Sequence, residues 1–176
     1  MINFSAIPTA NPGGGVPKPG VYRATVEKAE MKEPKDASKK PYLNLTLKLR
    51  NKDESAAGTV FDILTESEAA TVLYKIGRFL RACGIPLQGA MELKDIAKLV
   101  VGKEIAVDIK VEKDNKDNDR AVVDVFSREC YYLPSEFDTV YKMVNPEEIS
   151  EADKKAFADS VMNVPESADG SSEVAY

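Results

Sequence analysis

In YLNLTLKLR, residues 42–50, leucine takes every second position, and Tyr42, Asn44, Thr46, Lys48 and Arg50 share the opposite face. Just before it, KEPKDASKKP (32–41) sets Lys32, Lys35, Lys39 and Lys40 against two acids, and Phe61 follows in TVFDIL (59–64). Cations beside flat rings are what single-stranded nucleic acid requires. Phosphates attract the cations, and unstacked bases settle on the rings, each stack being worth about 1–3 kcal/mol. Arg23 and Lys110, in neighbouring strand-like stretches, extend the same track. Each of these side chains is also at home on the wet side of a half-exposed sheet, and a one-residue slip of phase would turn Phe61 into the core.

Other chemistries have less to stand on. The chain contains no histidine, which removes the commonest general base, the commonest zinc ligand and the partner of Ser-His or Cys-His nucleophiles. Its acids are scattered, with no cluster on apolar structure where a metal would be held. The expectation is a protein that is not an enzyme and carries no cofactor or metal. Cys83 and Cys130 have no metal-like spacing and read as buried thiols of a reduced compartment. GGG at 13–15 has neither the preceding strand nor the GK[ST] of a phosphate loop, so it reads as linker.

The formal net charge of −5 argues against nucleic acid until it is located. Residues 146–176 hold eight acids and two bases, whereas residues 1–145 hold 22 bases and 21 acids. The acidity belongs to the tail. No stretch approaches the roughly 20 apolar residues of a membrane span, and the start lacks a signal-peptide pattern, so a cytoplasmic location without membrane partners is expected.

The elements that must position these residues follow from periodicity. Residues 1–19 are rich in Gly and Pro and read as a flexible arm, and 20–145 form the core. VYRATVEKAEM (21–31) alternates, then shifts phase toward Ala29 and Met31, which predicts a bulge. Strands are expected at 42–50, 59–64, 103–113 and 121–127. Between the third and fourth, Thr65 with Glu68 reads as a capping box opening a helix of about 18 residues that stops at Gly84 and Pro86, followed by a shorter helix over MELKDIAKLV (91–100) with Gly102 as its exit. Lys75, Arg78 and Arg81 are expected on the solvated face of the long helix, while Tyr131, Tyr132, Phe137 and Tyr141 are expected to pack on the body. The acidic tail, 146–176, is expected to carry a short helix at 150–162 and to be disordered after 163. The fold class is therefore mainly β with helices (α+β). Three strands, a bridging helix and a closing hairpin match the five-stranded Greek-key barrel of OB-folds, though the same alternation would serve an open α+β sandwich.

The order of PKPGVYRATVEKAEMKEPKDASKKPYLNLTLKLR, LYKIGRFLRACGIP and LVVGKEIAVDIKVE resembles a family of small proteins of tailed bacteriophages and prophages, viewed as single-stranded DNA-binding proteins with an OB-fold. The likeness runs over residues 17–127 and rests on fold markers rather than a catalytic signature. It implies sequence-independent binding of single-stranded DNA in replication, recombination or repair. The closing SADGSSEVAY is similar in type to the acidic, aromatic-tipped tails of bacterial single-stranded DNA-binding proteins, which implies that Asp169, Glu173 and Tyr176 recruit replication or recombination proteins. It lacks their denser acids and their proline before the final ring. Association into a homo-oligomer is compatible with such a role. Rival readings are a protein-interaction or assembly module on the same barrel and a single-strand annealing mediator. An acidic tail would compete with DNA for basic residues, so removing residues 164–176 is expected to tighten binding at low salt in a titration with oligo(dT); unchanged or weaker affinity would refute the competition.

Overall fold

A computed structural model describes residues 15–36, 39–125 and 129–145. The chain divides into two units, Met1–Val144 and Asn145–Tyr176, and every element below belongs to the first. The expected helix at 150–162 and the tail beyond it lie outside the described residues.

The fold is mainly β with helices: an antiparallel sheet curled into a half-barrel. Strand β1 (Gly20–Lys32) pairs with β2 (Tyr42–Arg50), which pairs with β3 (Ala56–Thr65). Helices α1 (Ala70–Ala82) and α2 (Leu93–Val100) follow, and then β4 (Glu104–Lys113) pairs with the free side of β1 and with β5 (Asp119–Val123). The order across the sheet is β3-β2-β1-β4-β5. Its curl brings β3 and β5 side by side without a hydrogen-bonded ladder between them.

Strand β2 shows why the sheet has a core side. Leu43, Leu45, Leu47 and Leu49 are all fully buried, while Lys48 between two of them is exposed, as a period of two demands. The phase shift in β1 is a bulge between Val26 and Lys28. The Val26 N–H donates to Lys103 O (2.9 Å) and its carbonyl accepts from Gly102 N–H (2.8 Å), so the turn before β4 satisfies the backbone of the residue before the bulge.

The helices plug the core side. Phe79, Leu80 and Ala82 of α1 and Leu93, Ile96 and Val100 of α2 are buried on the leucines of β2. The helix α1 is shorter than its periodicity predicts and has no capping box, because Thr65 is still paired with Tyr42 in the sheet; the Ser67 hydroxyl accepts the Ala69 N–H (3.1 Å) instead. Its exit is a Schellman motif, with Ile85 N–H bonded to Leu80 O, Gly84 N–H bonded to Arg81 O, and Gly84 at φ +69°. Cys83 and Cys130 are buried thiols; burial, above all, pushes them up to about 12 and about 11.

Past β5 the chain forms a further two-residue strand that the sequence did not reveal, β6 (Tyr131–Tyr132), on the same edge of β4. A 3-10 turn (Pro134–Glu136) leads into α3 (Phe137–Val144). As expected, this segment packs on the body: Tyr132 and Phe137 are buried with Val21 and Ala106, forming a second small core on the outer face of β1 and β4. Tyr131 is fully buried on the inner side, edge-to-face with Phe79 at 5.2 Å. With α3 over β1 and β4, the outer face of β2 and β3 is the part of the sheet that the described residues leave open.

Because Leu45 is fully enclosed, Leu45→Ala is expected to lower stability by about 2–5 kcal/mol, whereas Lys48→Ala, on the exposed face, stays within about 0.5 kcal/mol. Urea unfolding midpoints check both.

Candidate functional site

The outer face of β2 and β3 is built by register. Tyr42 lies opposite Thr65, Asn44 opposite Ile63, Thr46 opposite Phe61 and Lys48 opposite Thr59, and cross-strand partners project to the same side. Phe61 is 62% exposed and Ile63 46%. Phe61 therefore faces out of the core, and Tyr42 shares its side of the sheet, half-buried at the far end. Next to them, the bulge puts Lys28 opposite Thr46 on this same face.

Between Phe61 and Ile63, Asp62 turns inward beneath the sheet. Its carboxylate accepts hydrogen bonds from the Tyr131 hydroxyl and from Lys75 Nζ (2.7 Å), and Lys75 also donates to Ile63 O (3.0 Å). Burial first, and the adjacent Asp62 charge second, hold the Tyr131 hydroxyl well above the ordinary tyrosine pKa of 10.0. The hydroxyl stays protonated and donates. The cluster joins β3, α1 and β6, and it sits directly behind the exposed side chains.

Beside this face runs a groove of about 710 Å³ between β3 and the β4–β5 hairpin, lined by Asn44, Phe61, Ile63, Lys110, Arg120 and Val122. On its far wall Lys110 and Arg120 both lie against Glu112 (3.5 and 3.2 Å).

The cations that the sequence nominated separate into two groups. Arg50 bonds Glu54 (2.8 Å) and Glu104 (2.6 Å); Arg23, its cross-strand neighbour, meets Glu54 (3.4 Å) and Asp138 (3.5 Å) and stacks over Phe137 at 4.6 Å. Both belong to the end of the sheet that α3 and the β2–β3 turn cover. Lys48 is 3.5 Å from Glu27, and Lys32 is 3.1 Å from Glu30. By contrast Lys28, Lys35, Lys39 and Lys40 are exposed and have no ion pair among the described residues. Lys28 lies within β1 opposite Thr46, and Lys35, Lys39 and Lys40 lie in the β1–β2 connection. Of the tail residues Asp169, Glu173 and Tyr176 nothing is described.

Of Lys75, Arg78 and Arg81, only Arg81 is exposed as their spacing suggests, and all three are engaged in ion pairs. Lys75 holds Asp62, Arg78 holds Glu129 and lies over the Tyr74 ring at 4.4 Å, and Arg81 reaches Glu136 (2.6 Å) and Glu129 (3.3 Å). Arg78 and Arg81 clasp the segment after β5 to α1, and Lys75 ties α1 to β3. Sequence reading missed Ile63 and Lys28 on the open face; the phase of Phe61 carried a signal for the first, and the bulge for the second. It also missed Asp62, a charge in an apolar strand that only its partners explain.

The fold is thus a curled antiparallel half-barrel whose outer face carries the exposed Phe61 and Ile63, with four lysines of β1 and the β1–β2 connection in no ion pair among the described residues. The chain belongs to the family described as DUF669, a protein of unknown function, whose model matches residues 9–156. No curated protein matches it. Among the described residues, no helix is long and apolar enough to cross a membrane, and no group of three metal-binding side chains occurs.

The Glu136 carboxylate accepts from Arg81 and from Leu133 N–H (2.8 Å), and the Arg81 bond above all holds it below the ordinary glutamate pKa of 4.5. A carboxylate with a depressed folded pKa stabilises the fold above its unfolded pKa and loses that contribution as pH falls through the folded value. The stability gap between wild type and Glu136→Gln is therefore expected to be present above pH 4.5 and to close below it, with a size within about 1 kcal/mol for this partly exposed pair. Urea melts across that range check it; a gap that does not change with pH would show the bond to be idle.

Proposed function

We propose that this protein binds single-stranded DNA without sequence preference on the open face of β2 and β3. The observation that carries the reading is Phe61, a large apolar ring 62% exposed in mid-strand, beside Ile63 and in line with Tyr42. A face of that kind gains most from a flat apolar partner, and unstacked bases are such partners. The strand order and the approach of β3 to β5 are compatible with a five-stranded OB-type barrel, whose ligands lie on the face of its second and third strands. Phosphates would be met at the β1–β2 end by Lys28, Lys35, Lys39 and Lys40, since Arg23, Arg50 and the groove's Lys110 and Arg120 already lie against acids. On this reading the protein is not an enzyme and needs no cofactor. It would coat single strands in the cytoplasm of a phage-infected or prophage-carrying cell, while its acidic tail, closing on Tyr176, recruits replication or recombination proteins.

Fluorescence anisotropy with oligo(dT), a duplex and a single-stranded RNA tests the reading. Oligo(dT) is expected to bind in preference to the duplex, and Phe61→Ala to weaken it roughly 5- to 150-fold, the effect of about one stack. With four lysines available, the slope of log affinity against log salt is expected to be no steeper than about −3. A slope near zero would favour a protein-interaction module on the same face, and no binding to any nucleic acid would overturn the proposal.

A further inference from the structure

We propose that the end of the N-terminal arm, Val16 and Pro17, is a third wall of the groove and touches the bound strand; this rests on the single-strand reading above. The sequence presents the arm as linker, but its last residues are built into the site. Gly15, Val16 and Pro17 line the groove together with Phe61 and Ile63, and Val16 is 47% exposed there. Two features hold them in place. Gly58, at the start of β3, has φ +127°, which side chains other than hydrogen rarely allow, and a Cβ on it would stand only 3.0 Å from Pro17 Cγ. The proline ring thus rests on a glycine that is required twice over. One residue further on, the Tyr22 hydroxyl donates to Lys18 O (2.8 Å), tying the root of the arm to β1.

The chemistry of this wall differs from that of the lysine end. Gly15, Val16 and Pro17 carry no charge, so the part of the ligand they meet is a base or a sugar rather than a phosphate. Losing the wall should then cost affinity without altering the number of counterions released, and the two can be separated by a salt series.

The test uses the full chain with oligo(dT) at several salt concentrations. Val16→Ser, at an exposed position, and Gly58→Ala, which would push Pro17 off its seat, are each expected to weaken binding about fivefold with an unchanged salt slope. Val101→Ser, comparably exposed at the C-cap of α2 and not among the residues lining the groove, is expected to bind as wild type. Val16→Ser keeps the test independent of the backbone strain that Gly58→Ala introduces. If Val16→Ser binds as tightly as wild type while Phe61→Ala is weakened, the wall is overturned and the single-strand reading stands. If wild type itself binds no oligo(dT), the single-strand reading falls and takes the wall with it.

Discussion

The part-buried contact of Asp62 with Lys75 and Tyr131 is the point on which the other parts converge. A carboxylate set on the inner face of a strand between Val60 and Leu64 is costly unless its charge and lone pairs are matched. It is matched by a lysine from α1 and a hydroxyl from β6. The match fixes the phase of β3, since no slip by one residue could keep Asp62 among its partners. With Asp62 inward, Phe61 and Ile63 are compelled outward. A single polar requirement inside the sheet thus determines which apolar groups are shown on its outer face.

The same economy governs the charges. A body with almost as many acids as bases spends most of its cations on internal pairs, and the pairs are structural: Arg23 and Arg50 secure the covered end of the sheet, and Arg78 and Arg81 secure the segment after β5. On β1 and the connection after it, Lys28, Lys35, Lys39 and Lys40 are in no ion pair among the described residues.

Much of this was legible in the chain. The alternation of leucines in β2 gave its burial, and the phase slip at Ala29 and Met31 marked the bulge correctly, because both are local consequences of a two-residue period. The outward position of Phe61 was open to a slip of one residue, and it is settled by Asp62, whose partner Tyr131 lies far along the chain. The pairing of Arg50 with Glu104, or of Arg81 with Glu136, could not be read, since partners more than 50 residues apart leave no periodic trace. Nor could β6, two residues long, or the seat of Pro17 on Gly58, where a linker-like composition conceals a contact made by the absence of a side chain.

The edge of β4 carries one more consequence. After Val123 the chain leaves this edge and returns to it at Tyr131, and Asp108 stands at both points: its carbonyl accepts the Asp124 N–H (2.8 Å), and its own N–H donates to Cys130 O (3.0 Å). A detour that departs from and rejoins a single residue transmits no register from one side to the other. Its length is a free variable of the architecture, because adding residues there costs only a slowly growing closure entropy and slides no strand. Insertions at this place are therefore expected to leave the half-barrel sheet, the clasped helix and the outer face of β2 and β3 in their geometry.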